Sequence, residues 1–162
     1  MPDLMLLRHA KSDWKARYGT DQDRPLNKRG IRSARAVGEF VARNGLTPEL
    51  VLASPAVRTR TTAELAAEAG GWNSPIEVVP RLYGADHVDV LELVRGVTGV
   101  ERLMVVGHEP TMSGVLEYLT GHRIRVTTAT LAYMRPGFGS WSDLARGTAR
   151  LELLIRPRLL LD

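Results

Sequence analysis

Arg8 and His9 stand side by side directly after an apolar run at residues 4–7, where a buried strand would have no use for either. A second histidine, His108, follows the run "LMVVG" at 103–107, and Arg58 lies just beyond a third apolar stretch at 50–53. Two imidazoles and two guanidiniums that each follow a predicted strand suit phosphoryl transfer. A neutral imidazole nitrogen attacks phosphorus while cations neutralise the equatorial oxygens. The arginines themselves favour the neutral ring, because a neighbouring positive charge disfavours the imidazolium. Arg58 would sit in the first turn of a helix, where a cation opposes the positive end of the helix dipole, so an anion is expected beside it. Zinc-type chemistry fits poorly: the remaining histidines are His87 and His122, there is no cysteine, and "HEPTM" lacks the second histidine of a zinc-binding helix. No metal or cofactor is therefore expected.

The elements that must carry these groups follow from periodicity. Short β-rich runs alternate with longer segments of helical period, the pattern of an α/β domain with a mainly parallel sheet. Strands are predicted at 4–7, 50–53, 76–79 and 103–106. A helix capped by Asn27 is expected to turn Ile31, Ala34, Val37, Phe40 and Val41 to one face and to end near Asn44-Gly45. Ser54-Pro55 reads as an N-cap followed by proline at the first helical position, with the helix running to residue 69. Further helices are expected at 88–94 and from Pro110 to about residue 118. The last forty or so residues alternate like an antiparallel hairpin. In an open parallel sheet the carboxyl ends of the strands share one edge, so Arg8, His9, Arg58 and His108 are expected to converge there.

With 162 residues, 44% of them hydrophobic and 25% charged, the chain is expected to form a single domain over 1–162. The absence of cysteine and of any long apolar segment points to a cytoplasmic protein with no membrane partner. Net charge is +4, and its placement is uneven: residues 1–35 hold nine basic against four acidic side chains. Such a basic region attracts phosphorylated substrates or nucleic acid. Nucleic acid is the poorer fit, since no basic run is interleaved with aromatics and only nine residues are Phe, Trp or Tyr.

Four stretches taken together, "RHAKS" at 8–12, "RPLNKRG" at 24–30, "SPAVRTRTTAE" at 54–64 and "VVGHEP" at 105–110, resemble the histidine phosphatase, or phosphoglycerate-mutase-like, superfamily. The wording "RHAKSDW", "RPL" and "GHEPTM" is most similar to the bacterial phosphohistidine phosphatase (SixA) subgroup. The resemblance implies a three-layer α/β/α sandwich around the mainly parallel sheet and a metal-independent, two-step phosphatase. It makes His9 the transiently phosphorylated nucleophile and Arg8, Arg58 and His108 the phosphate pocket. Lys11, Ser12 and the backbone N–H of Glu109 are expected to reach the phosphate, with the Glu109 side chain toward solvent. Arg24-Pro25-Leu26 is expected to fix the loop beside the site. Arg60, His87 and His122 are expected at the surface, and Trp14, Trp72 and Trp141 in packing.

Three departures bear on substrate. Ala10 replaces the usual glycine, and Lys15 stands where mutase-like members place an asparagine. No glutamate follows the third strand, where members acting on sugar or glycerate phosphates carry a general acid, and Asp86 and His108 are the remaining candidates. Asp86 reads more simply as a helix N-cap. An alkoxide leaving group needs a proton, supplied by positioned acids for about 10² to 10⁴ in rate, whereas imidazole leaving phosphohistidine needs less help. The expected substrate is a phosphorylated histidine in a protein. The alternatives are a small phosphorylated metabolite and a non-catalytic phospho-ligand binding module.

Overall fold

Successive side chains of the first strand enter opposite cores: Leu4 and Leu6 join one buried apolar cluster, Met5 and Leu7 the other. A strand apolar on both sides belongs in a sheet covered on both faces. The computed structural model, which describes residues 2–137 and 139–161, shows that arrangement. Its strands are β1 (Asp3–Arg8), β2 (Leu50–Ala53), β3 (Ile76–Val78), β4 (Arg102–Gly107), β5 (Leu131–Pro136) and β6 (Ala149–Ile155). The helices are α1 (Lys28–Arg43), α2 (Val57–Gly70), α3 (His87–Arg95) and α4 (Thr111–Thr120).

One mixed sheet runs in the order β3-β2-β4-β1-β5-β6. The first four of these strands pair in parallel, while β5 is antiparallel to both β1 and β6. The expected α/β/α sandwich with an antiparallel C-terminal hairpin is thus the observed fold. Apolar residues of α1 and α2 pack on one face of the sheet with Met5, Leu7 and Val106, and those of α3 and α4 on the other with Leu4, Leu6 and Val105. No helix among the described residues is long and apolar enough to cross a membrane.

Two local expectations need correction. Asn27 does cap α1, its side chain accepting from Gly30 N at 2.8 Å, but Ile31 is exposed. The buried face instead follows Gly30, Ala34, Val37, Gly38 and Val41. The reason is close approach: a Cβ at Gly38 would lie 2.0 Å from the Ala66 carbonyl oxygen of α2, so the glycine side of α1 faces inward. Ser54 does not cap α2, which starts at Val57 after Ala56. Its hydroxyl is used in the site described next.

Candidate active site

The strand registers bring the predicted groups to one edge. Arg8 pairs with Gly107, and Ala53 with Val106, so the residues that follow each strand emerge together. His9 N extends the β1–β4 ladder by one bond to Gly107 O at 3.0 Å, and Ser54 N does the same to Val106 O at 3.2 Å. The helices after the neighbouring strands β1 and β4 lie on opposite faces, which opens a crevice between them at the sheet edge. In it the His9 and His108 rings stand 5.4 Å apart between centroids, and Tyr83 meets His108 edge-on at 5.7 Å.

The His9 hydrogen bond fixes its tautomer. Its Nδ1 lies 2.7 Å from the carbonyl oxygen of Ala10, and a carbonyl can only accept, so the proton is on Nδ1. Nε2 therefore carries the lone pair. Ala10 N in turn donates to Thr62 Oγ1 at 3.0 Å, and Thr62 Oγ1 donates to the Arg58 carbonyl at 2.6 Å, which ties the loop to α2. His108 Nε2 shares a 2.8 Å hydrogen bond with Ser54 Oγ. That contact explains why Ser54, read from sequence only as a cap, lies fully buried.

Both arginines bring unspent donors. Arg8 Nη1 donates to Val126 O at 3.3 Å, and Arg58 donates from Nη1 to Asp21 O at 2.7 Å and from Nη2 to Asp21 Oδ2 at 2.9 Å. Each leaves its buried Nε–H without a protein acceptor, and phosphoryl oxygens are suited to satisfy such donors. Among the described residues, no group of three or more His, Asp and Glu is placed to hold a metal ion.

Asp21 is the residue that sequence reasoning missed. Its Oδ2 accepts from Arg58 and, at 2.7 Å, from the Tyr83 hydroxyl, while Oδ1 accepts from Arg24 Nη1 at 2.6 Å. The Tyr83 hydrogen bond, then those from Arg58 and Arg24, hold its carboxyl well below the usual carboxylate range. The same bond raises the Tyr83 pKa, since the phenol is held as donor. One loop carboxylate thereby links the segment after β1, helix α2 and the segment after β3. Its only sequence signal is position: it lies just before the buried Arg24, inside an otherwise basic region.

The remaining expected residues divide. Arg24 does fix the loop: it is buried, donates from Nε to Ser12 Oγ at 2.9 Å and lies 3.6 Å over the exposed Trp14 ring. Ser12 is thus engaged with Arg24 rather than with solvent. Lys11 is exposed and lines a separate concavity. The Glu109 side chain does not face solvent as expected: it folds over the start of α4 and accepts from Ser113 N at 2.8 Å and from the Ser113 hydroxyl. The first-turn N–H groups of that helix need an acceptor, and Glu109 supplies one.

Asp86 caps α3, accepting from Asp89 N at 2.9 Å, and this bond lowers its pKa, so it is no proton donor. Arg60 pairs with Glu64 at the surface, and His122 is exposed, whereas His87 is half-buried with its ring 6.0 Å from Tyr118. Trp72 and Trp141 pack in the two cores.

Burial holds both site histidines neutral. It pushes His9 down to about 3, helped by the positive charges of Arg58 and Arg8, and His108 down to about 4, helped chiefly by Arg58. Neither ring is expected to titrate near its ordinary 6.5, which NMR of the ring protons checks. The unfolded rings do protonate at that pH, so the stability that these neutral rings contribute is complete above 6.5 and is lost as pH falls through about 4 and about 3. Denaturant midpoints measured between pH 7 and 4 should fall accordingly. A site-histidine resonance moving with a midpoint near 6.5 would refute the assignment.

Known proteins resemble this chain in sequence and in fold. Residues 4–90 match the histidine phosphatase superfamily (branch 1). An uncharacterised protein of Mycobacterium tuberculosis is 36% identical over 94% of this chain and 100% of its own length. A candidate phosphohistidine phosphatase SixA from Agrobacterium tumefaciens superposes with a TM-score of 0.84 at 30% identity, over 97% of this chain and 99% of that one. Another from Nakamurella multipartitia gives 0.83 at 30% identity, over 96% of both chains. From the match to the family model and the likeness to these solved structures alike, the chain belongs to the histidine phosphatase superfamily, whose fold here supports a phosphatase hydrolase.

Proposed function

We propose that the protein is a metal-independent phosphatase that works through a phosphorylated His9 and removes phosphate from phosphohistidine in another protein. In the first step the Nε2 lone pair of His9 attacks phosphorus as the substrate's N–P bond breaks, and the electron pair of that bond returns to the departing imidazole. Arg8 and Arg58 neutralise the equatorial oxygens, with His108 beside them. The Nδ1–H···O=C bond to Ala10 stabilises the positive charge that His9 gains on phosphorylation. In the second step water attacks phospho-His9, inorganic phosphate leaves, and the lone pair returns to Nε2. Because phosphate passes from one imidazole to another, the first step is nearly balanced in energy.

The observation that carries the substrate choice is the state of the carboxyls near the site. Asp21 is held ionised by Tyr83, Arg58 and Arg24, and Asp86 is spent as a helix cap. Neither offers a proton to a departing alkoxide, and His108, the other candidate acid, is held neutral by burial with its Nε2 engaged by the Ser54 hydroxyl. The two SixA-type neighbours are consistent with the same choice. Access agrees as well: at the site edge only three residues, 54–56, join β2 to α2 and only three, 108–110, join β4 to α4, so neither connection carries a cap.

The test compares a phosphohistidine peptide with a panel of sugar and glycerate phosphates, using His9→Ala as the blank. Turnover of the peptide is expected to exceed that of every unactivated monoester by at least about 10²-fold, the contribution of the missing acid. Efficient hydrolysis of an unactivated sugar phosphate would overturn the substrate assignment.

A further inference from the structure

A concavity separate from the two histidines is lined by Lys11, Arg29, Thr127, Thr128, Arg156 and Arg158. Its four cations come from three distant parts of the chain: the loop after β1, the first turn of α1 and the segment following β6. Several arginines elsewhere pair with acids, as Arg81 does with Glu92 and Arg150 with Glu152. Among the described residues none of these four has a carboxylate partner. Four unneutralised charges around one concavity repel each other, and the fold nevertheless gathers them.

The cleft is joined rigidly to the phosphoryl site on both sides. Lys11 follows His9 by two residues, and its carbonyl accepts from Asn27 N at 3.0 Å. A Cβ at Gly30 would lie 2.1 Å from that same carbonyl oxygen, so the first turn of α1 sits directly on the Lys11 backbone and sets Arg29 beside it. On the other side Ala129 N donates to both Arg8 O and His9 O at 3.1 Å. Ala129 is buried with φ of +54°, a conformation that an alanine keeps only where its surroundings impose it. The turn bearing Thr127 and Thr128 is therefore fixed relative to His9. Helix α1 also packs against the C-terminal 3-10 turn Pro157–Leu159, which carries Arg158.

We propose that this cleft docks an acidic stretch of polypeptide next to the phosphorylated residue, an inference that rests on reading the protein as a phosphohistidine protein phosphatase. Charge complementarity selects the partner: Asp and Glu side chains of a flanking segment neutralise the cations while the phosphoryl group occupies the Arg8–Arg58 site. A nucleic-acid strand fits less well, since no aromatic side chain lines the cleft on which a base could stack.

The test uses two dye-labelled, unphosphorylated peptides around the same histidine, one flanked by Asp and Glu, the other by Asn and Gln, with binding read by fluorescence anisotropy. The acidic peptide is expected to bind at least about tenfold tighter at low salt, with the advantage shrinking as salt is added. In the triple variant Arg29→Gln/Arg156→Gln/Arg158→Gln the preference should fall to about onefold. If the triple variant fails to fold, the exposed Arg158→Glu alone should weaken the acidic peptide several-fold.

No preference in the unaltered protein, or a preference that survives in the folded triple variant, would overturn the proposal. So would a single-stranded oligonucleotide that binds more tightly than the acidic peptide and depends on the same three arginines. Phosphorylated versions of both peptides separate the two readings. If neither is hydrolysed, the phosphohistidine reading fails, while the anisotropy still decides whether the cleft takes an acidic peptide.

Discussion

His9→Ala is expected to reduce phosphatase turnover by about 10³-fold or more, the scale on which removal of a covalent nucleophile is felt. The same substitution should abolish the phosphoenzyme. When the unaltered protein is mixed with labelled phosphohistidine substrate and quenched within its first turnovers, the label should remain on the protein in alkali and be released by acid, as for an N–P bond. His9→Ala should carry none. The geometry explains why no neighbour substitutes for it. His108 is the other ring in the crevice, but its Nε2 is occupied by the Ser54 hydroxyl, whereas the His9 Nε2 is the one left with a free lone pair by the bond from Nδ1 to Ala10 O. The acid limb of the reaction should lie well below pH 6.5, because His9 stays neutral down to about 3. Full activity in His9→Ala, or label that survives acid, would refute a histidine nucleophile. Folding is not the confounder here, since an alanine in place of a buried neutral ring removes an ion-free hydrogen bond at the sheet edge and leaves both apolar clusters intact.

The sequence made Arg8, His9 and His108 legible because β1 and β4 each end in an abrupt change from apolar to polar or charged residues, while Arg58 stands five residues beyond β2 in the first turn of α2. Parallel pairing then brings the three strand ends to one edge, as the Arg8–Gly107 and Ala53–Val106 registers show. What stayed hidden depended on contacts between distant segments. Ser54 looks like an N-cap from its neighbours alone, and only the position of His108 shows what its hydroxyl does. Ile31 has the right spacing for the core, yet the close approach of Gly38 to Ala66 rotates α1 away from it. Glu109 was legible as a helix-start residue, but a side chain that bends back to Ser113 leaves no trace in composition or period. Asp21 and Tyr83 are 62 positions apart, and neither belongs to a periodic element, so no local pattern links them.

That link makes a second large effect predictable. Arg58→Ala is expected to lower kcat by about 10² to 10³, the loss usual when a preorganised donor to a transferring group is removed. Asp21→Asn should reproduce part of this, about tenfold, without touching the phosphate itself. An asparagine keeps the shape and one acceptor oxygen, but it loses the charge that holds Arg58 and Arg24 and cannot serve three donors as the carboxylate does. Because Asp21 works through Arg58, the two losses should not add: in an Arg58→Ala background the further change Asp21→Asn should cost no more than about twofold. Affinity for inorganic phosphate supplies an independent sign. Removing a negative charge next to an anion site favours the anion by Coulomb's law, so the Ki of phosphate for Asp21→Asn should stay level or fall while kcat drops. A structural collapse of the loop would instead raise Ki and lower kcat together. Additive losses in the double variant, or a Ki that rises in step with the loss of kcat, would show that Asp21 does not act by aiming the arginine.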